Sequence, residues 1–286
     1  MKYRNIKFHK KNLVLIKKVK EILEEYEEQG IKVTLRQLYY QLVSRDIIPN
    51  TQKEYSKLSK VLTDARYSDM VSWDAIEDRV RIPEVPNTFM DIKHLLEVAC
   101  RSYQLDRWKE QEYYIELWTE KDAISSVIQP LCEKYQVTLS VNRGYTSASA
   151  MYKSAERIKD NCENKECIIL YLGDHDPSGL DMDRDIQDRL TEFDCAVAVL
   201  RIGLTQKQIK KYTPPPNPAK ITDPRAKEYI KKFGDTSWEV DALEPQVLQK
   251  LVEDTILIYL DLEKYEQVQE QEKKDIKVLK KEGGGK

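Results

Sequence analysis

The sequence predicts an α/β protein, a parallel sheet with flanking helices, preceded by an α-rich module. Three observations predict it. From Tyr113 onward, short apolar segments alternate with stretches of helical periodicity. Before residue 84 the apolar spacing is helical three times over and then turns extended. The charge divides the same way: residues 1–66 hold 15 Lys and Arg against 8 Asp and Glu, so a front of +7 leaves −9 on the remainder of a chain with net charge −2. A basic front on an acidic remainder is the asymmetry of one module that touches phosphate and another that holds cations.

Each element has a local signal. Lys11 to Gln29 reads as a helix, with Leu13, Ile16, Val19, Ile22 and Leu23 at helical spacing and Gly30 as its stop. Thr34 caps a second helix, Leu35 to Arg45, and a turn at Pro49–Asn50–Thr51 leads into a third, Glu54 to Tyr67. Val71 to Ile82 is extended, and Pro83 and Pro86 end it. Three helices and then a strand are the order of a winged helix of the CAP-like kind, a variant of helix-turn-helix. This front domain spans 1–84, and a connecting helix follows over 85–112, centred on residues 87–111.

The second domain, 113–262, repeats strand and helix. Tyr113–Thr119 precedes a helix to Tyr135, Val137–Val141 a helix to Cys162, and Cys167–Gly173 a helix to Phe193; Ala196–Ile202 is the last strand. Thr213 to Pro218 holds four prolines and reads as a rigid surface loop. Trp238–Leu243 and a helix to about Leu262 complete the domain. Residues 263–286 form a charged tail that reads as a solvated helix ending in Gly-Gly-Gly-Lys.

The chain is long enough, at 286 residues, for two cores. With 41% apolar and 34% charged residues and no apolar run of roughly 18, it carries no membrane span. Met1 to Lys11 is basic but lacks a following small-residue cleavage site, so a cytoplasmic, nucleoid-associated protein is expected. Five cysteines without a CxxC pair or nearby histidines are expected to be reduced thiols and not a zinc site.

Two strands end in acids. Tyr113–Thr119 runs into Glu120-Lys121-Asp122-Ala123, and Cys167–Gly173 into Asp174-His175-Asp176-Pro177-Ser178-Gly179. Ligands of open parallel sheets sit beyond the carboxyl ends of the strands, which brings Glu120 to the aspartate pair across 54 positions. Asp174 and Asp176 alternate along an extended segment and can address one ion. All-oxygen ligation suits Mg²⁺ or Mn²⁺. The same residues also permit a plainer reading, in which Asp176 or Ser178 caps the next helix and Asp174 is a loop residue. His175 could be a ligand or base, but its alternate position points it away from both acids and favours a surface or packing role. Asp181 and Asp183 favour the helix N-terminus or an outer metal shell.

In the second helix Leu35, Leu38, Tyr39, Leu42 and Val43 form the apolar stripe. At about 100° per residue, Tyr39 lies inside that stripe, whereas Tyr40 falls off it between Arg36 and Ser44. Tyr39 is therefore expected in the core and Tyr40 as a half-exposed phenol beside a guanidinium. Arg36 there can hold a phosphate or stabilise charge as the phenol attacks; alternatively Tyr40 only packs or contacts phosphate. In the third helix Tyr55, Leu58, Val61, Leu62 and Ala65 face inward, while Lys53, Lys57 and Lys60 share the opposite face, which in a helix-turn-helix meets DNA.

The two acidic elements resemble the Toprim signatures of the topoisomerase VI A subunit and the related meiotic double-strand-break protein. In that family Glu-Lys-(Asp/Glu)-Ala follows the first Toprim strand and Asp-x-Asp-Pro-x-Gly the third. Thr34-Leu35-Arg36-Gln37-Leu38-Tyr39-Tyr40 resembles the same family, whose second tyrosine of such a pair cleaves DNA. The resemblance covers roughly residues 32–67 and 113–200. Arg143-Gly144-Tyr145-Thr146 stands where the family has Gly-Tyr-Pro, with Thr146 in place of proline, and the family's downstream arginine has no clear counterpart. No role is carried onto that segment.

The resemblance implies double-stranded DNA as substrate and Tyr40 as the nucleophile, leaving a covalent tyrosyl–DNA link. It makes Glu120, Asp174 and Asp176 the ligands of Mg²⁺ or Mn²⁺. It also implies a homodimer, in which the tyrosine of one protomer works with the metal site of its partner. The chain has no GxxxxGK[ST] motif, so strand passage would need a separate ATPase subunit. Two alternatives stand beside it: a hydrolytic Toprim endonuclease using metal-activated water, and a catalytically inactive DNA-binding protein.

Overall fold

The computed structural model describes residues 4–72, 75–77, 88–142, 148–162 and 164–283. Helix α1 (Lys10–Glu27) buries Leu15, Ile16, Val19, Ile22, Leu23 and Tyr26; Leu13, expected on that stripe, is exposed in the first turn. After β1 (Val33–Thr34), Thr34 and Gln37 close a reciprocal capping box at the start of α2 (Leu35–Ser44). Thr51 caps α3 (Gln52–Tyr67), whose inner face is Leu58, Val61, Leu62 and Ala65.

Of the expected extended stretch Val71–Ile82, β2 (Ile76–Glu77) is described, paired in parallel with β1. Trp73, Asp74, Asp78, Pro83 and Pro86 lie outside the described residues, as do Arg143, Gly144, Tyr145 and Thr146. The connecting helix is shorter than expected: α4 (Ile92–Ser102) ends early, because the Leu105 amide and the Arg107 guanidinium are drawn onto the carboxylate of Glu272.

The second half is mixed α/β. Strands β3 (Tyr113–Thr119), β4 (Thr138–Val141), β5 (Glu166–Leu172) and β6 (Ala198–Gly203) form a four-stranded, all-parallel sheet in the order β4-β3-β5-β6. Alternation along the central strands divides two cores. Ile115, Leu117, Ile168, Leu170 and Leu172 face α5 (Asp122–Tyr135) and α10 (Pro245–Tyr259), on a core shared with the front helices. Trp118, Ile169 and Tyr171 face α6 (Ala148–Asn161) and α7 (Gly179–Glu192).

Between β6 and α10 the chain makes an excursion through α8 (Gln206–Tyr212), β7 (Asn217–Pro218), α9 (Ala226–Phe233), β8 (Thr236–Ser237) and a 3₁₀ turn at Val240–Ala242. The proline loop is not the surface feature the sequence predicts. Pro214 and Pro215 are buried, and Asn50, in the α2–α3 turn, donates to the carbonyl of Pro216 and the side chain of Asn217.

The tail is also corrected. The helix expected to run to Leu262 breaks at Leu260 and Asp261, and α11 (Leu262–Gly283) folds back to pack on α4. Glu272 in its middle is buried against Arg107. Cys162 and Cys167 stand side by side across the α6–β5 turn, their Cα atoms 6.1 Å apart. Cys100, Cys132 and Cys195 are free thiols. Among the described residues no helix is long and apolar enough to cross a membrane.

Candidate functional site

The connection leaving β3 runs to β4 on one side, and the one leaving β5 runs to β6 on the other. The carboxyl ends of these adjacent strands therefore flank a topological switch point, where the backbone opens a crevice. Glu120 follows β3 directly, and its Oε1 accepts from the Asp174 amide at 2.8 Å. The two acids meet there, as the sequence predicts.

Asp174 is 6% exposed. Its Oδ1 accepts from the Val240 amide at 2.9 Å, and Lys121 Nζ stands 2.8 Å from its Oδ2. Burial pushes the Asp174 carboxyl up to about 8, against the pull of Lys121 and with the help of nearby Glu120 and Asp241. Asp176 is as buried, and its Oδ1 accepts from the Gly179 amide at 2.6 Å and from the Ser178 hydroxyl at 3.1 Å. It thus ties down the start of α7, while its Oδ2 lies 3.6 Å from Lys220 Nζ. Gly179 is required: a Cβ there would sit 2.4 Å from the Asp174 carbonyl oxygen.

Tyr40 corrects an expectation. It is not half-exposed but 3% exposed, because the excursion covers it from outside α2. Its hydroxyl donates to Glu239 Oε2 at 2.9 Å and accepts from Asn217 Nδ2 at 3.3 Å. Burial, then the charge of Asp241, pushes the phenol above its ordinary value, while Arg36, Asn217 and Lys121 pull it down. Tyr39 is in the core as expected, its hydroxyl held by Asn50 and the Thr51 carbonyl.

Arg36 reaches away from α2 to two acids of the excursion. Its Nε donates to Asp241 Oδ2 at 2.6 Å and its Nη2 to Glu239 Oε2. Lys121 Nζ, 3.1 Å from the same Glu239 oxygen, links this group to Asp174. Tyr40 and Asp174, from opposite ends of the fold, thus share one charged network within a single chain.

The remaining expectations divide. His175 is a packing residue: buried, its ring lies against Phe233 and Trp238, its Nδ1 is 2.9 Å from the Tyr229 hydroxyl, and burial lowers its pKa. Asp181 pairs with Arg184 and Arg225, and Asp183 with Arg201, so both serve ion pairs on α7. Lys53, Lys57 and Lys60 lie on the exposed face of α3, with Lys57 paired to Glu54.

The sequence alone points to no role for Lys121, Asn217 or Arg201, and it leaves Glu239 and Asp241 open between a place near the site and strand acids facing solvent. Arg201 donates to the carbonyls of Gly173, Asp174 and Gly179, fixing the loop after β5. The signal for Lys121 was its place between Glu120 and Asp122 in the first acidic element.

All-oxygen carboxylates are the donor chemistry that a hard divalent ion takes. Glu120, Asp174, Asp176, Glu239 and Asp241 gather around Arg36, Lys121 and the exposed Lys220, so carboxylates outnumber cations. Asp241 Oδ1 is buried without a hydrogen-bond partner. Among the described residues no three His, Cys, Asp or Glu side chains already converge in ligating geometry. No family model matches the chain, and no curated protein matches it.

Proposed function

We propose that the chain is a metal-dependent DNA-strand-breaking enzyme resembling the topoisomerase VI A subunit, with a winged-helix front and a Toprim second half. One observation carries it. The Tyr40 hydroxyl and the Asp174 carboxylate lie at two ends of one network, through Glu239 at 2.9 Å, Lys121 at 3.1 Å and Asp174 at 2.8 Å. A phenol, two cations and the sheet-edge acids in one cluster are the groups that phosphoryl transfer employs.

In this reading Glu120, Asp174 and Asp176 hold Mg²⁺ or Mn²⁺, which when bound supplies Lewis-acid neutralisation of phosphate charge. The Tyr40 oxygen forms a bond to phosphorus as the bond from phosphorus to a deoxyribose oxygen breaks. The phenolic proton leaves to solvent, and the departing oxygen takes one from water. Arg36 and Lys121 stabilise the negative charge of phenolate and phosphate, which lowers the cost of ionising a buried phenol. Lys53, Lys57 and Lys60 on the exposed face of α3 bind backbone phosphates of double-stranded DNA.

Tyr40 is linked through Glu239 to Lys121 and Asp174 of its own chain, which supports a site complete within one protomer. A homodimer then places two such sites on the two strands, with any ATPase on a separate subunit, in a nucleoid-associated protein.

Supercoiled plasmid incubated with Mg²⁺ or Mn²⁺ and denatured with and without protease tests this. Protein-linked ends lost in both Tyr40→Phe and Asp174→Ala are expected. The burial of Tyr40 favours a second reading, hydrolysis by metal-activated water. Free ends made equally well by Tyr40→Phe would establish it, and DNA bound but left uncut would point to a non-catalytic binding protein.

A further inference from the structure

Three donors converge on one oxygen. The Arg36 guanidinium, the Tyr40 hydroxyl and the Lys121 ammonium all reach Glu239 Oε2, the last two at 2.9 and 3.1 Å. Arg36 and Tyr40 come from α2, Lys121 from the start of α5, and Glu239 from the excursion before α10. Two cations and a phenol aimed at a single point form a site for an anionic oxygen.

Each cation keeps a second acidic partner when Glu239 leaves. Arg36 keeps Asp241 through Nε at 2.6 Å, and Lys121 keeps Asp174 at 2.8 Å. The Glu239 side chain, 22% exposed, lies on the side open to solvent with Arg36 and Lys121. Asp241 and Asp174, by contrast, are enclosed. A phosphodiester carries one negative charge, so exchanging it for the Glu239 carboxylate leaves the charge of the network unchanged.

We propose that the point held by Glu239 Oε2 is the seat of a non-bridging phosphodiester oxygen, and that Glu239 is its internal occupant in the resting protein. The assignment rests on Tyr40 being the nucleophile. It accounts for the burial of the phenol: the same side chain that fills the phosphate seat covers the hydroxyl, and both open together when Glu239 swings outward.

The test is binding of a labelled short DNA duplex, followed by fluorescence anisotropy in EDTA, to wild type, Glu239→Ala and Glu239→Gln. Glu239→Ala is expected to bind about tenfold tighter, with a salt dependence steeper by about one phosphate contact. Glu239→Gln moves the same way by less, and carries the test should the alanine variant lose its fold. Adding Arg36→Ala to either variant cancels the gain. Inorganic phosphate competes with the duplex more strongly in the variants than in wild type if an isolated phosphate suffices, and equally if the seat reads a phosphate only within a duplex.

Unchanged or weaker binding in both Glu239 variants overturns the proposal, as does slower adduct formation restored by raising the pH, which would make Glu239 the proton acceptor. A gain in affinity without any Tyr40-linked DNA leaves the seat standing and removes strand breakage. Tyr40-linked DNA without a gain in affinity does the reverse.

Discussion

Arg36 Nε donates to Asp241 Oδ2 at 2.6 Å across 205 positions of sequence, joining α2 to the turn before α10. The Asp241 side chain has no exposure, whereas Arg36 is partly open. Truncating Arg36 therefore leaves a buried carboxylate with only Lys121, 3.9 Å from its other oxygen, for a partner. Arg36→Ala is expected to cost ~3 kcal/mol in urea unfolding. Arg36→Lys recovers only part, because one ammonium cannot serve Asp241 and Glu239 with separate nitrogens. An unchanged unfolding midpoint would mean that Asp241 finds solvent on its own.

Gly179 starts α7 where the backbone passes closest to the Asp174 carbonyl. The Cβ of alanine would meet that oxygen at 2.4 Å, and backbone on both sides cannot yield as a side chain does. Gly179→Ala is expected to destabilise by ~2 kcal/mol and to displace Asp174. Thermal unfolding reads the first effect, and loss of metal-induced stabilisation reads the second.

The docking of α11 rests on Arg107 and Glu272, both nearly enclosed and 2.8 Å apart, supported by Tyr103 donating to Asp275. Glu272→Ala leaves Arg107 buried and unpaired, with an expected loss of ~3 kcal/mol. Limited proteolysis should then cut within residues 262–283, which are expected to resist in wild type. Equal resistance would mean that apolar packing on α4 alone holds the helix.

What was legible in the sequence was local. Short, mostly apolar runs from Ile115 to Thr119 and from Cys167 to Leu172 mark the central strands, and the acids that follow them mark the crevice. Thr34 and Gln37 announce the start of α2. The burial of Tyr40 was not legible, because Asn217 and Glu239, 177 and 199 positions away, impose it. Trp238-Glu239-Val240-Asp241 alternates apolar and acidic residues, which by itself describes a strand with acids in water. Asp241 turns inward only because α2 supplies Arg36 and α5 supplies Lys121. The charged residues of α11 likewise read as solvated until Arg107 is known to face Glu272.

The raised pKa of Asp174 has a pH signature whose sign is fixed. Its ordinary value is 3.8, and burial pushes it to about 8 in the folded chain, so the folded state binds the proton more tightly than the unfolded one. The stability this contributes is full below 3.8 and is lost as the pH rises through about 8. In EDTA the wild-type melting temperature is therefore expected to fall between about pH 5 and pH 9 relative to that of Asp174→Asn, which has no proton to lose there. A divalent ion needs the carboxylate, so its stabilising effect runs the other way and grows over the same interval. Melting curves with and without Mn²⁺ across that range check both halves. Parallel pH profiles for wild type and Asp174→Asn would show that Lys121 keeps Asp174 ionised throughout, and Mn²⁺ stabilisation would then be flat with pH.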